Sequence, residues 1–365
     1  MATMPVRLQR AAALAMLAAS LAACSGGGSV AGAGSMGAAA QRAATEFLDT
    51  YVRPNGRVTR PDQGFDTVSE GQAYGMLLAE IAGQPAVFGR IWHWTRVHLQ
   101  LPDGLFAFHA NPAGQVLSPN PASDADVLIA WALLRYDATD AAVRHRQGQR
   151  VAAAVLAHEV TVGPGRTPIL AAAPWGTGRP ASLNPSYWAL PALTGLAQLT
   201  GNREWQRIAY GAVSLTSQLT RGGRDLPPDW ARLTASGKLQ AAPSPDGSEP
   251  QVQYGLAAQR TVPWFTFSCD PRARALAHKW WRLLRRHERA RALALQPDGD
   301  LISPDPAPLP MVAAASAAQA AGQVDASRRL LDRAAAQQRR RRTYYGGAWT
   351  ALGLALFSGA LASPC

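Results

Sequence analysis

Lysine is almost missing from this chain. Lys238 and Lys279 are its only two, among 36 basic residues, so nearly all positive charge is arginine. That skew points to a GC-rich genome rather than to a function. Cysteine is scarce as well. Cys24, Cys269 and Cys365 form neither a metal-binding nor a redox pair by spacing. The seven histidines are scattered, and His158-Glu159 lacks the second histidine of a zincin motif. Neither a metal site nor a cofactor is expected. Charged residues are only 16% of the chain, which argues against long disordered tracts, and the 47% hydrophobic content supplies a sizeable core. No zinc-finger spacing or RNP-like strand accompanies the net charge of +12. The arginine clusters at 272–291 and 339–342 therefore read as solvated helical faces, and nucleic acid is not an expected partner.

What is present begins with an export pattern. Arg7 and Arg10 precede an apolar run over 11–23 that is too short to span a bilayer and has signal-peptide length. It ends Leu21-Ala22-Ala23-Cys24, which matches a bacterial lipobox, so Cys24 is the expected lipidation site. The alternative is an ordinary signal peptide cut near Ala23. Residues 24–37, rich in glycine and serine, read as a flexible tether, and a single domain is expected over 38–365. These features imply export to the periplasm, as an outer-membrane lipoprotein or a secreted protein. Membrane contact is expected only through the N-terminal lipid. Residues 343–365 carry no charge, yet Gly346, Gly347, Gly353 and the pair Tyr344-Tyr345 favour a last core helix over a membrane span.

Apolar spacing is mostly helical. It predicts helices over 38–52, 69–82, 85–99, 123–135, 141–158, 185–200, 203–219, 271–288, 309–321, 325–338 and 344–358. Ser69 and Ser123 are expected N-caps. The best strand candidate is 261–268. Paired helices with little strand fit either a helical solenoid or a closed toroid of six helix pairs, and periodicity does not choose between them.

Three segments carry chemistry. In Ser69-Glu70-Gly71-Gln72-Ala73-Tyr74-Gly75-Met76, Glu70 sits in the first turn of a helix. There a carboxylate would ordinarily complement the helix dipole. Gly71 and Gly75 weaken that helix and make sense if a sugar ring approaches its backbone. In Ala122-Ser123-Asp124-Ala125-Asp126, two acids open a strongly apolar helix, and one is free to face a cleft. In Trp264-Phe265-Thr266-Phe267-Ser268-Cys269-Asp270, an acid closes an aromatic run. Its ordinary reading is an N-cap ahead of Pro271.

Taken together, these segments resemble glycoside hydrolase family 8. Residues 69–76 match its proton-donor motif and 122–134 its signature helix. Asn184-Pro185-Ser186-Tyr187, Pro228-Asp229-Trp230 and Tyr344-Tyr345 follow as landmarks in the right order. The resemblance runs from about residue 44 to 358 and is closest to the cellulases that accompany bacterial cellulose synthesis. It implies an all-α fold, an (α/α)6 barrel with an open substrate cleft, and hydrolysis of β-1,4-glucan with inversion. It also implies Glu70 as general acid, Asp270 as general base and Asp124 as a substrate-orienting acid. Tyr74, Asp126, Tyr187, Trp94 and Trp264 are the expected substrate contacts, with Trp92 and Trp175 as further stacking candidates. The implied partners are the glucan and the cellulose synthase machinery. Around the base, the family pattern places tyrosine just before the acid and arginine three residues after it. At Asp270 those positions hold Cys269 and Ala273. Two alternatives follow. One is another substrate on the same fold: xylan, chitosan or mixed-linkage glucan. The other is a weakened, glucan-binding lipoprotein.

The chemistry is consistent with a pair of acids. Glycoside hydrolysis with inversion needs a protonated carboxyl at the leaving oxygen and a carboxylate activating water, roughly 6.5–9.5 Å apart. A second acid beside Glu70 would hold its proton on by like-charge repulsion.

Overall fold

A computed structural model describes residues 28–362, and the chain over that range is mostly helical. The signal segment 1–23, Cys24 and Cys365 lie outside the described residues. The helices are α1 (Gly28–Tyr51), α2 (Ser69–Ile81), α3 (Pro85–His98), α4 (Ser123–Arg135), α5 (Ala141–His158), α6 (Leu190–Thr200) and α7 (Glu204–Leu219). They continue as α8 (Leu256–Gln259), α9 (Thr261–Thr266), α10 (Pro271–Leu284), α11 (Pro308–Ala320), α12 (Val324–Arg340) and α13 (Tyr344–Phe357). None of the described helices is long and apolar enough to cross a membrane. In α13, Ala348, Trp349, Ala351 and Leu352 are all buried, as a core helix requires.

Two kinds of helix alternate. α4, α9 and α11 are buried on nearly every side, which their unbroken apolar and small residues allow. α5, α10 and α12 bury one stripe and turn arginines to solvent. Among the buried set, α2 packs on α4, α4 on α6, α6 on α9, α9 on α11, α11 on α13, and α13 on α2. Short antiparallel ladders join helix ends. Thr67–Val68 pairs with His109–Ala110 and runs straight into α2, so the ladder fixes where Glu70 begins its turn.

Several expectations are corrected. α1 runs from Gly28, ahead of the helix expected from residue 38, although 28–37 holds four glycines and only two alanines. The segment 261–268 is helical in α9, not a strand. Its Pro263 lies in the first turn, where no intrahelical N–H is needed. The helix expected over 185–200 is broken: Pro185–Tyr187 is a 3-10 turn, and α6 starts at Leu190 because Pro191 could not donate back to Tyr187. Ser69 and Ser123 are not caps. Val68 and Ala122 hold those positions, and Ser123 Oγ instead donates to the Ala171 carbonyl at 2.6 Å.

Candidate active site

The first turns of α2 and α4 meet a buried arginine that the sequence reading did not single out. Arg260 lies between α8 and α9 and is 5% exposed. Its Nη1 donates to Glu70 Oε1 at 2.5 Å and to Asp124 Oδ2 at 2.8 Å, with Tyr74 OH at 3.2 Å. Its Nη2 donates to Ser186 Oγ at 2.8 Å, and the guanidinium stands over the Tyr187 ring. The landmark Asn184-Pro185-Ser186-Tyr187 thus has a local cause. Asn184 Oδ1 accepts from the Ser186 amide and hydroxyl, and that turn presents Ser186 and Tyr187 to Arg260. Asp229 performs a similar task below. Its carboxylate accepts the amide N–H groups of Gly255 and Ala258, which anchors α8 and with it Arg260. Burial pushes Asp229 up to about 7. Arg260 could have been noticed as the one charge set just ahead of the apolar run 261–267.

Glu70 is only partly enclosed, with 14% of its side chain open to solvent. Burial raises its pKa above the ordinary carboxylate value, Arg260 opposes that, Asp124 adds to it, and the Tyr74 hydrogen bond at 2.7 Å lowers it. A carboxyl that holds its proton above the ordinary carboxylate range and keeps an opening to solvent can donate that proton to a leaving oxygen. Tyr345, half-buried, lies close enough for its pKa to respond to Arg260, Glu70 and Asp124. A cavity of about 260 Å³ opens beside it, lined also by Leu256, Asp62 and Asp305.

Of the expected site residues, Glu70, Asp124 and Tyr187 come together. Tyr74 joins them as a support rather than a substrate contact, since it is 0% exposed and donates to Glu70. The other expected residues lie elsewhere. Asp270 caps α10, accepting from the Arg272 amide and pairing with its guanidinium. It sits past the far end of α9, a helix about 9 Å long that starts next to Arg260. Its surroundings are Ser268, Arg272 and the pocket wall of α6 and α7, so its ordinary reading as an N-cap holds. Trp94 is buried and stacks on His98, and Trp264 is buried edge-on to Trp349. Apolar bulk won over sugar stacking at both positions. Trp92 is buried too, whereas Trp175 is 48% exposed, close in sequence to Ala171 and Ala172, whose carbonyls hold Ser123 at the start of α4. Gly71 and Gly75 serve packing, not a sugar. A Cβ on Gly71 would meet Tyr344 OH at 2.7 Å, and one on Gly75 would meet Val58 at 2.8 Å.

Asp126 is also no substrate contact. It is wholly buried, accepts the Phe106 amide, and lies against Glu159 at the end of α5. Burial pushes both carboxyls well above their ordinary values, and the charge of Asp126 pushes Glu159 further. The folded protein therefore binds these protons more tightly than the unfolded chain does. Stability from the pair is greatest below the ordinary values of 3.8 and 4.5 and falls as pH rises through them toward the folded values. Glu159→Gln keeps a neutral partner at every pH. It is expected to flatten the loss of stability between about pH 4 and 8, each pKa unit removed being worth about 1.4 kcal/mol. Urea midpoints across that range test this, and a slope unchanged from the parent protein would refute it.

A mostly helical chain that holds a partly solvent-open, proton-retaining carboxyl beside a second acid has the makings of a glycosidase. The profile of glycosyl hydrolases family 8 matches residues 19–357, and the chain belongs to that family. Over 208 residues it is 31% identical to an endoglucanase of Cellulomonas uda, covering 56% of this chain and 58% of that protein. Over 214 residues it is 33% identical to a probable endoglucanase of Novacetimonas hansenii, covering 57% and 62%. The chain thus matches about three fifths of the length of these relatives. The solved endo-beta-1,4-glucanase of Acetobacter xylinum superposes with a TM-score of 0.70 at 26% identity, over 88% of this chain and 98% of that one. A beta-1,3-1,4-glucanase of Paenibacillus sp. X4 shares the fold, with a TM-score of 0.79 at 17% identity over 90% and 93%.

Proposed function

We propose that this protein is an exported endo-β-1,4-glucanase that hydrolyses β-1,4-glucan with inversion, on an (α/α)6 barrel whose cleft holds Glu70. The observation that carries the reading is Glu70 itself, enclosed enough to keep its proton and open enough to deliver it. The barrel is supported by the alternation of buried and half-buried helices and by the packing of α13 on both α11 and α2. The choice of β-1,4-glucan rests on the names of the relatives, which are endoglucanases, and xylan, chitosan and mixed-linkage glucan are not favoured.

In the reaction, Glu70 gives its proton to the glycosidic oxygen as the bond from C1 to that oxygen breaks. Water adds to C1 from the opposite face as that bond breaks and gives up one proton to solvent, from which Glu70 is reprotonated for the next turnover. Asp124 and Arg260 hold each other in place, and Asp124 orients the sugar rather than attacking it. Tyr187 and Tyr345 flank the acid, and Trp175 offers an exposed ring face for a glucan unit near the start of α4.

Export is supported by Cys269, which is disulfide-bonded, because such bonds persist in oxidising compartments. A lipid on Cys24 and a role beside the cellulose synthase machinery complete the proposal. The deciding experiment is NMR of freshly cleaved cellopentaose. The α-anomer should appear first at the new reducing end and then mutarotate. Appearance of the β-anomer first, or cleavage of xylan in preference to glucan, would overturn the proposal.

A further inference from the structure

Arg260 sets a register that Asp270 does not satisfy. The family pattern has an acid preceded by tyrosine and followed three residues later by arginine. The arginine that stands in the site is Arg260, so the acid's place falls on Ala257 and the tyrosine's on Leu256. Geometry agrees. The Ala257 carbonyl is 3.4 Å from Arg260 Nε, and Nη1 of the same planar fork is 2.5 Å from Glu70, which keeps that carbonyl within roughly 8 Å of the acid. That upper bound, taken on the backbone oxygen, is compatible with the roughly 6.5–9.5 Å of an inverting pair. Ala257 is half-buried and Leu256 is 37% exposed beside the cavity that Tyr345 lines, so this edge of α8 is open rather than packed.

Asp124, Asp229 and Asp270 do not fill the role. Asp124 Oδ2 and Glu70 Oε1 bond one nitrogen at 2.8 and 2.5 Å, so those oxygens are at most about 5.3 Å apart, too close for the water of an inverting pair. The charge of Asp124 is also committed to Arg260. Asp229 lies beneath α8, 1% exposed, with its oxygens turned to the amides of Gly255 and Ala258. Asp270 is beyond α9.

We infer that the water-activating position of this site is Ala257, that the chain runs hydrolysis without a carboxylate there, and that an aspartate at that position completes the catalytic pair. The inference rests on Glu70 being the acid. It makes the native protein a slow hydrolase, since a positioned base contributes about 10²–10⁴-fold.

The test uses the full chain and Ala257→Asp on cellopentaose, and azide with 2,4-dinitrophenyl β-cellobioside, whose leaving group needs no proton. Ala257→Asp should raise kcat by about 10²–10⁴-fold. Azide should accelerate the native protein and not the variant. It bonds to C1 from the α face as the bond from C1 to oxygen breaks, dinitrophenolate leaves with the electron pair, and α-cellobiosyl azide forms. A native rate unmoved by azide, with a folded Ala257→Asp no faster than its parent, overturns the inference. So does a native activity abolished by Asp62→Asn or Asp305→Asn, which would identify another base. If Ala257→Asp fails to fold, the azide measurement on the native protein decides alone. The two readings separate on Glu70→Gln. A gain in Ala257→Asp that survives Glu70→Gln on cellopentaose sinks Glu70 as the acid and leaves the vacant base standing. Native hydrolysis that needs Glu70, with neither a gain in Ala257→Asp nor an azide effect, does the reverse.

Discussion

Glu70→Gln is expected to lower kcat on carboxymethylcellulose by about 10²–10⁴-fold, the usual contribution of a positioned acid, while KM stays near the native value. The amide keeps the shape and one oxygen for Arg260 and Tyr74 but has no proton to give. Folding should survive, because Asp124 still neutralises Arg260. The pH profile carries the sign of the effect. Burial raises the Glu70 pKa, so the protonated acid persists above the ordinary carboxylate range and the native rate falls on the alkaline side as that proton leaves. The variant should lack this limb. On 2,4-dinitrophenyl β-cellobioside, where the leaving group departs unaided, the loss should nearly vanish. A variant within tenfold of the native rate on the polysaccharide would exclude Glu70 as the acid.

Arg260→Leu should produce the largest loss of stability of any single change at the site. Two carboxylates share one guanidinium, and all three groups are mostly withdrawn from water. Removing the cation leaves Glu70 and Asp124 facing each other without compensation, which costs about 3–5 kcal/mol for a buried pair. Leucine also loses the hydrogen bond to Ser186 and the contact with the Tyr187 ring. The deficit should shrink as pH falls, because the stranded Glu70, whose pKa burial raises, takes up a proton more readily than it does in the unfolded chain. Arg260→Lys should lie between, since an ammonium keeps the charge but cannot reach Glu70, Asp124 and Ser186 from one planar fork. Chemical denaturation at pH 5 and 8 checks this. A loss below about 1 kcal/mol at pH 8 would mean that the guanidinium does not hold the site together.

Much of the helical layout was legible because period and punctuation act locally. Pro85 and Pro271 open helices where the spacing predicts them, and Gly201 closes α6 in a left-handed cap. Glu70 and Asp124 were legible for a similar reason: each sits in the first turn of a helix whose motif is long. What misled was buried surroundings that read as pattern. The segment 261–268 looks like a strand because α9 is apolar on every side, and Trp94 and Trp264 look like platforms only until their neighbours are known. Gly71 and Gly75 suggested a ligand, yet the close approach they permit is to Tyr344 and Val58.

By itself the sequence determined the family and much of the succession of helices, and it singled out Glu70 as the candidate acid, since these depend on residues adjacent in the chain. Only the tertiary structure decided which acid faces which. Asp270 and Asp126 left the site, and Arg260, 190 residues from Glu70 along the chain, entered it. The physical reason is that a catalytic pair is defined by a gap of a few ångströms between distant segments. That gap is set by how α8, α9 and the turn at 184–187 pack against α2 and α4, not by any spacing written along the chain.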